Sequence, residues 1–289
     1  MRSSTATTDA PRVSLRTPPV VRNGRGRGAR LVNLSSPAGL HGRPWVARLR
    51  RALEQDLFVL HFQPIVSLAD GSISHYEALL RLAEGPDGEL IAPGRFLPAA
   101  ERYGLIGEID RMVLGKVAAL LGSEPGFSDV TIAINVSGLS VTDGSMLKSI
   151  DRTLARHGVD PACLAIEVTE TAAISDMRSA RIFCAGVLEL GCGLALDDFG
   201  AGFGSFQYLK QLPFSHLKID GDFIRSLPSS RTDQLVVRAL ARIVRGMGRQ
   251  TIAEFVGDAP TLSMLRAYDV DYAQGFEVGR PGPMIALPV

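Results

Sequence analysis

A regular alternation of short apolar runs with amphipathic stretches constrains this chain more than any other feature of its 289 residues. Apolar runs at 58–68 and 73–82 read as two strands joined by a hairpin turn at Asp70-Gly71. Helix-then-strand pairs follow: 105–121 before 130–136, 146–156 before 164–168, and 177–190 before 194–197. A short strand at 216–219, a helix at 233–247, a strand at 251–255, a helix at 261–268 and a last short strand near Tyr272 complete the series. Ahead of it, 45–55 has helical spacing, with Trp45, Val46, Leu49 and Leu53 on one face and arginines on the other. This cadence predicts an α/β fold, a single TIM-like (β/α)8 barrel. The opening hairpin makes it irregular, with an antiparallel first strand.

The ends of the apolar runs carry the chemistry. The run 194–197 ends in Asp197-Asp198, and Gly200, Gly202 and Gly204 follow at once. Adjacent carboxylates repel each other and are costly to desolvate. Alone, the pair reads either as a solvated acidic turn or as a cation site. The other ends decide between them: Glu77 to Arg81, Asn135-Val136-Ser137, Glu167 to Glu170, Lys218-Ile219-Asp220, Ala253-Glu254 and Gln274-Gly275. In such barrels ligands bind at the C-terminal ends of the strands, and seven polar ends on one rim read as a site.

Glu77, Glu167, Asp197, Asp198 and Glu254 offer five carboxylates, Asn135 and Gln274 two amides, and no His or Cys joins them. That donor set suits a hard cation, Mg²⁺ or Mn²⁺, rather than zinc. Five acids exceed what one Mg²⁺ usually takes from protein, so two ions are expected, an apparatus suited to phosphodiester hydrolysis. Lys218 fits as an electrostatic partner that orients the attacking water, and Arg81 as a phosphate clamp. None of the five histidines (His41, His61, His75, His157, His216) falls on the rim pattern, and His61 reads as packing.

Hydrophobic content of 46% and charge of 21% suit a globular chain with a substantial core. No stretch approaches the roughly 18 uninterrupted apolar residues of a transmembrane segment, and no apolar region of a secretory signal follows the basic N-terminus. Cys163, Cys184 and Cys192 are odd in number and lack metal spacing, so they read as buried hydrophobes in a reducing, cytoplasmic setting. The net charge of +1 hides an asymmetry. Residues 1–44 hold eight Arg against one acid, and the remainder 23 basic against 29 acidic residues. Residues 1–44 therefore read as a disordered basic arm, and 45–289 as the folded domain. Arg25 to Arg30 (R-G-R-G-A-R) is a weak signal for nucleic acid or an anionic surface, and the composition also suits a transit peptide; a solvated tail is the plain reading.

At this point a family resemblance stands out. The chain carries F-Q-P-I-V at 62–66, E-A-L-L-R at 77–81, F-L-P-A-A-E at 96–101, N-V-S at 135–137 and E-V-T-E at 167–170. It continues with D-D-F-G-A-G-F at 197–203, L-K-I-D at 217–220, A-E-F-V at 253–256 and Q-G-F-x-x-G-R-P at 274–281. In that order these segments resemble the EAL-domain cyclic-di-GMP phosphodiesterases of bacteria over about residues 46–289. The resemblance implies a barrel with an antiparallel first strand, a homodimer, and Mg²⁺- or Mn²⁺-dependent hydrolysis of cyclic di-GMP to linear pGpG, commonly inhibited by Ca²⁺. By position it makes Glu77, Asn135, Glu167 and Asp197 ligands of a first metal, and Asp198 and Glu254 second-metal or water-binding groups. It makes Lys218 the water-activating lysine and Gln274 a water or ligand contact. Gln63, Arg81, Gly279 and Pro281 become substrate-contact positions, and Glu170 the glutamate that holds the loop after Asp198.

The match has departures. The family usually reads A-E-G-V-E where this chain has Phe255, then Gly257-Asp258, so a carboxylate is lost or displaced to Asp258. It usually reads G-T-G-Y-S-S where this chain has Ala201, Phe203 and Gly204. The alternative to an enzyme is a catalytically impaired domain acting as a cyclic-di-GMP receptor or protein-interaction module.

Overall fold

The computed structural model describes residues 42–84, 88–123, 127, 129–200 and 209–285. The arm 1–41 and the loop positions Ala201, Phe203 and Gly204 lie outside the described residues. Helix α1 spans Gly42–Glu54, so it starts inside the stretch assigned to the arm.

Strands β1 (Phe58–Ser67) and β2 (Ile73–Glu84) form the expected hairpin. At its turn Gly71 holds a positive φ of 77°, and Asp70 accepts hydrogen bonds from the amide and hydroxyl of Ser72. A short β3 (Glu89–Ile91) hangs on the edge of β2. Helices α2 (Leu97–Arg102) and α3 (Ile106–Leu121) lead to β4 (Thr131–Asn135). Then come α4 (Gly138–Thr142), α5 (Met146–His157), β5 (Leu164–Thr169), α6 (Glu170–Ser175), α7 (Met177–Glu189) and β6 (Gly193–Phe199). β7 (His216–Ile219), α8 (Gly221–Arg225), α9 (Arg231–Gly246), β8 (Gln250–Ala253), α10 (Ala259–Ala267) and β9 (Tyr272–Gln274) complete the order.

Eight strands close into a barrel in the order β1-β9-β8-β7-β6-β5-β4-β2, with β2 pairing back to β1. β1 is antiparallel to both neighbours, β2 and β9, and the remaining wall pairings are parallel. The irregular (β/α)8 barrel expected from the cadence is therefore the fold. Wall strands packed on both faces are apolar almost throughout: every residue of β5 before Thr169 is buried. The long helices turn one stripe inward, as in α9, where Val237, Leu240, Ala241 and Val244 recur at helical spacing. Among the described residues no helix is long and apolar enough to cross a membrane.

Inside the lumen, side chains of one parity stack in layers. The layer nearest the N-terminal ends of the parallel strands holds His75, His216 and Tyr272, with ring centroids 5.7–5.8 Å apart. Burial, then the neighbouring His216 and Lys218, push the His75 pKa down to about 3, so this ring packs as a neutral group. The next layer up is polar, and it forms the candidate site.

Candidate active site

Lys218 stands at the centre of that polar layer and is 1% exposed. Its ammonium lies 2.8 Å from Glu167 Oε2, 2.9 Å from Glu254 Oε1, 3.1 Å from Asp197 Oδ1 and 3.3 Å from Glu77 Oε2. The four acids come from β5, β6, β2 and the position just past β8, so neighbouring parallel strands deliver them around one ammonium. Burial opposes the lysine's charge, but Asp197, Glu167, Glu254 and Glu77 outweigh it and hold its pKa well above the usual lysine range. Lys218 is a fixed cation.

One ammonium cannot neutralise four carboxylates, and the neighbours decide how each copes. Glu77 is buried, yet Lys218, Gln274 Nε2 at 2.6 Å and Asn135 Nδ2 at 2.7 Å donate to it, and its pKa is lowered overall. Glu167 is equally buried but receives only Lys218, and burial and Glu77 push its pKa well up. Burial, offset by Lys218, puts Glu254 at about 7, with Asp197 and Glu77 adding to the rise. Burial and the adjacent Asp197 put Asp198 at about 6.

The Asp197-Asp198 pair reaches the site through a bulge. Leu196 pairs with Leu217 and Phe199 with Ile219, so both acids oppose the single residue Lys218. Asp198 takes the left-handed region at φ 55°, which aspartate tolerates, and its amide donates to Asp197 Oδ1 at 3.0 Å. This local twist lets two consecutive acids serve one mouth. Glu170 Oε2 accepts the Gly200 amide at 3.0 Å and pins the turn that leaves the bulge.

Ligand atoms of Asp197, Asp198 and Glu254 lie within 4.8 Å of one another. Glu167 Oε1 and Glu254 Oε2 are buried acceptors with no hydrogen-bond partner among the described residues. A surplus of negative charge with orphaned carboxylate oxygens fits hard divalent cations, which take oxygen ligands. Glu77, Asn135, Glu167, Asp197, Asp198 and Glu254 are the residues that could hold them.

The predicted substrate positions line the wall beside this cluster. Gln63 Oε1 accepts from Gln274 Nε2 at 3.2 Å, and Gln63 Nε2 donates to the Gly279 carbonyl at 3.0 Å. Gly279 leaves room for Pro64, whose ring a methyl group there would strike. Pro281 is followed by Gly282, which exchanges backbone hydrogen bonds with Phe62, so 279–282 is laid along β1 at the mouth. Arg81 lies two positions beyond Leu79 and four beyond Glu77 on the same strand face, with Nη1 on the Leu80 carbonyl at 2.8 Å. Asp258 does not join the site: it is exposed and caps α10, accepting from the Thr261 amide at 2.8 Å. Phe255 holds φ 53°, a conformation suited to the glycine usual at its position, without pulling Glu254 from Lys218.

The motifs did not single out Asp110. Buried on α3, its Oδ2 accepts from the hydroxyl of Ser137 at 2.6 Å and its amide at 3.1 Å, anchoring the chain just after Asn135. Its sign in the sequence is an acid on the apolar side of a helix, beside Ile109 and Val113. A separate cleft of about 380 Å³, lined by Arg245, Arg266, Asp271 and Tyr272 among others, contains none of the predicted site residues.

The family model for the EAL domain matches residues 46–281. Cyclic di-GMP phosphodiesterase PdeB of Shewanella oneidensis is 36% identical over 242 residues, 83% of this chain and 28% of that protein. The bifunctional diguanylate cyclase/cyclic di-GMP phosphodiesterase MucR of Pseudomonas aeruginosa is 38% identical over 237 residues, 81% of this chain and 34% of that protein. The chain thus spans about a third of the length of these curated relatives. Among solved structures, the PaMucR phosphodiesterase in complex with c-di-GMP superposes with a TM-score of 0.78 at 36% identity, covering 83% of this chain and 98% of that one. The Xanthomonas citri FimX EAL domain in complex with c-diGMP gives 0.78 at 33% identity, covering 86% and 96%. With this family match, this barrel and this ring of strand-end carboxylates, the chain belongs to the EAL domain family.

Proposed function

We propose that this chain hydrolyses cyclic di-GMP to linear pGpG with the help of Mg²⁺ or Mn²⁺, two ions per site. The observation that carries this reading is the polar layer itself: four buried carboxylates around Lys218, with orphaned oxygens on Glu167 and Glu254. Such a concentration of acid is poorly suited to stabilising a fold on its own. The names of the relatives and the ligand in the solved structures point to the same substrate.

The reaction adds water across one phosphodiester. The P–O3′ bond breaks, phosphorus keeps the new oxygen as a 5′-phosphate, and the departing 3′ oxygen takes a proton. Glu77, Asn135, Glu167, Asp197, Asp198 and Glu254 would hold the divalent ions, which would supply Lewis acidity toward the phosphoryl oxygens and acidify water. The chain's own groups do the rest. Lys218 keeps the carboxylates at fixed positions and presents a positive charge to the attacking oxygen. Asn135 and Gln274 fix both oxygens of Glu77, so that ligand is oriented in advance. Glu254 is held by Lys218 through Oε1, which leaves the buried Oε2 as an acceptor without a partner among the described residues. Arg81 offers its guanidinium to the substrate phosphate.

Incubation of the purified chain with cyclic di-GMP and Mn²⁺ or Mg²⁺ tests the proposal. Formation of pGpG well above a Glu77→Ala control is expected, and tight binding with no turnover would replace the enzyme by a receptor.

A further inference from the structure

His61 does not pack in the interior like His75 and His216. β1 pairs Gln63 with Glu77, His61 with Leu79 and Val59 with Arg81. Directly opposed residues of antiparallel strands share a face, and alternate residues of one strand share it too. Gln63 and Glu77 point into the lumen, where both meet Gln274. His61 therefore stands on the lumen face, one step nearer the mouth than Gln63 and between the levels of Glu77 and Arg81. No bulge interrupts the register there, since the one irregularity of this pair lies at Ile65/Val66. The imidazole is half-buried, and among the described residues it makes no hydrogen bond. Burial, then the nearby Arg81 charge, hold its pKa below the ordinary histidine value. A neutral imidazole keeps one N–H to donate and one nitrogen to accept.

We propose that His61 is a substrate-contact residue, donating its ring N–H to a phosphoryl oxygen of the dinucleotide that Arg81 holds. This rests on the phosphodiesterase reading of the site. The geometry favours the phosphate: His61 lies beside the one guanidinium predicted to clamp it, on the wall across the lumen from the carboxylates of β5 and β6. The ring nitrogens of His61 are not among the sealed, unpartnered polar atoms, so a ligand entering the mouth can reach them. The contact also accounts for a neutral ring being placed next to Arg81, since a second full positive charge there would be repelled before substrate arrives.

The test uses the full chain as wild type, His61→Ala and His61→Gln. Cyclic di-GMP binding is measured by calorimetry with Ca²⁺ present, and turnover with Mn²⁺. His61→Ala is expected to raise both Kd and KM about tenfold, the scale of one hydrogen bond to a charged group, with kcat changed by less than about twofold. His61→Gln keeps an N–H donor and is expected to recover part of that loss. Unchanged Kd and KM in His61→Ala, a fall in kcat alone, or a glutamine variant no better than alanine would each overturn the contact. A wild type that neither binds nor cleaves overturns the phosphodiesterase reading and the contact with it. A wild type that turns over beside an unaffected His61→Ala overturns the contact alone.

Discussion

The ring of Phe255 lies directly over Gly221, and a methyl group on that glycine would collide with it. Arg225, one turn further along the same helix, covers the ring with its guanidinium 4.6 Å from the centroid. Phe255 thus occupies a left-handed backbone position on an exposed surface, with its ring against the flat glycine and the Arg225 guanidinium packed beside both. Gly221→Ala is expected to destabilise the wild type by about 1–3 kcal/mol, the usual range for overpacking. In a Phe255→Gly background the same change should cost well under half as much, because the ring is gone. Urea unfolding of the four proteins measures the coupling, and equal costs in both backgrounds would refute it.

Lys218→Met removes the charge that four carboxylates share. Leaving buried charges uncompensated costs on the order of 3–5 kcal/mol, so the metal-free variant should melt well below wild type. Added Mn²⁺ should raise its melting temperature by more than it raises that of wild type, since cations then have more charge to neutralise. Turnover should fall by at least about a hundredfold, the scale of a lost general acid–base or electrostatic group. Thermal melts with and without Mn²⁺, beside a pGpG assay, check both.

The raised acids set a pH dependence. Glu254 is shifted up to about 7, Asp198 to about 6, and Glu167 well above its ordinary value, so the metal-free folded state binds protons more tightly than the unfolded chain. Their contribution to stability is fully present below the unfolded values near 4 and is lost as pH rises through about 6–7. The metal-free protein is therefore expected to lose melting temperature across that window. Divalent ions must displace these protons, so Mn²⁺ affinity should rise over the same range and binding near pH 6 should release protons. Calorimetry in buffers of different ionisation enthalpy reads the release directly; none detected would count against the shifts.

Glu170→Ala frees the Gly200 amide and loosens the turn behind Asp197 and Asp198. Loss of such a supporting contact typically weakens metal binding by about 10–100-fold. The far-ultraviolet circular dichroism should be unchanged while the Mn²⁺ titration shifts to higher concentration.

Asp110→Ala leaves the hydroxyl and amide of Ser137 without their acceptor and should cost about 1–3 kcal/mol. Asp110→Asn keeps an acceptor oxygen and should cost less, and the urea midpoints of the two variants order them.

The wall strands and the rim acids were legible because burial makes polar residues at the ends of apolar runs conspicuous. The short helices after them were not. α4, α6 and α8 have five or six residues, too few to show a period, and their starts are set by the N-caps Ser137, Thr169 and Asp220. Those caps are the closing residues of N-V-S, of E-V-T and of K-I-D, so one tripeptide carries both a site residue and the start of a helix. The Asp197-Asp198 bulge was also hidden, since it depends on the register of β7 against β6. His61 reads as packing because it sits within an apolar run. Its parity with Gln63, two residues on, is the signal that places it on the lumen face.

The reversed direction of β1 has a mechanical consequence. Every other wall strand begins at the closed end of the barrel, but β1 is entered from the mouth, directly after α1. Arg48 and Arg51 of that helix both grip Glu84, the last residue of β2, and the Ala83 amide bonds the Leu57 carbonyl in the connector. Tension on α1 would therefore be delivered first to the β1–β2 hairpin, which bears His61, Gln63 and Glu77, and only afterwards to the strands that hold the other acids.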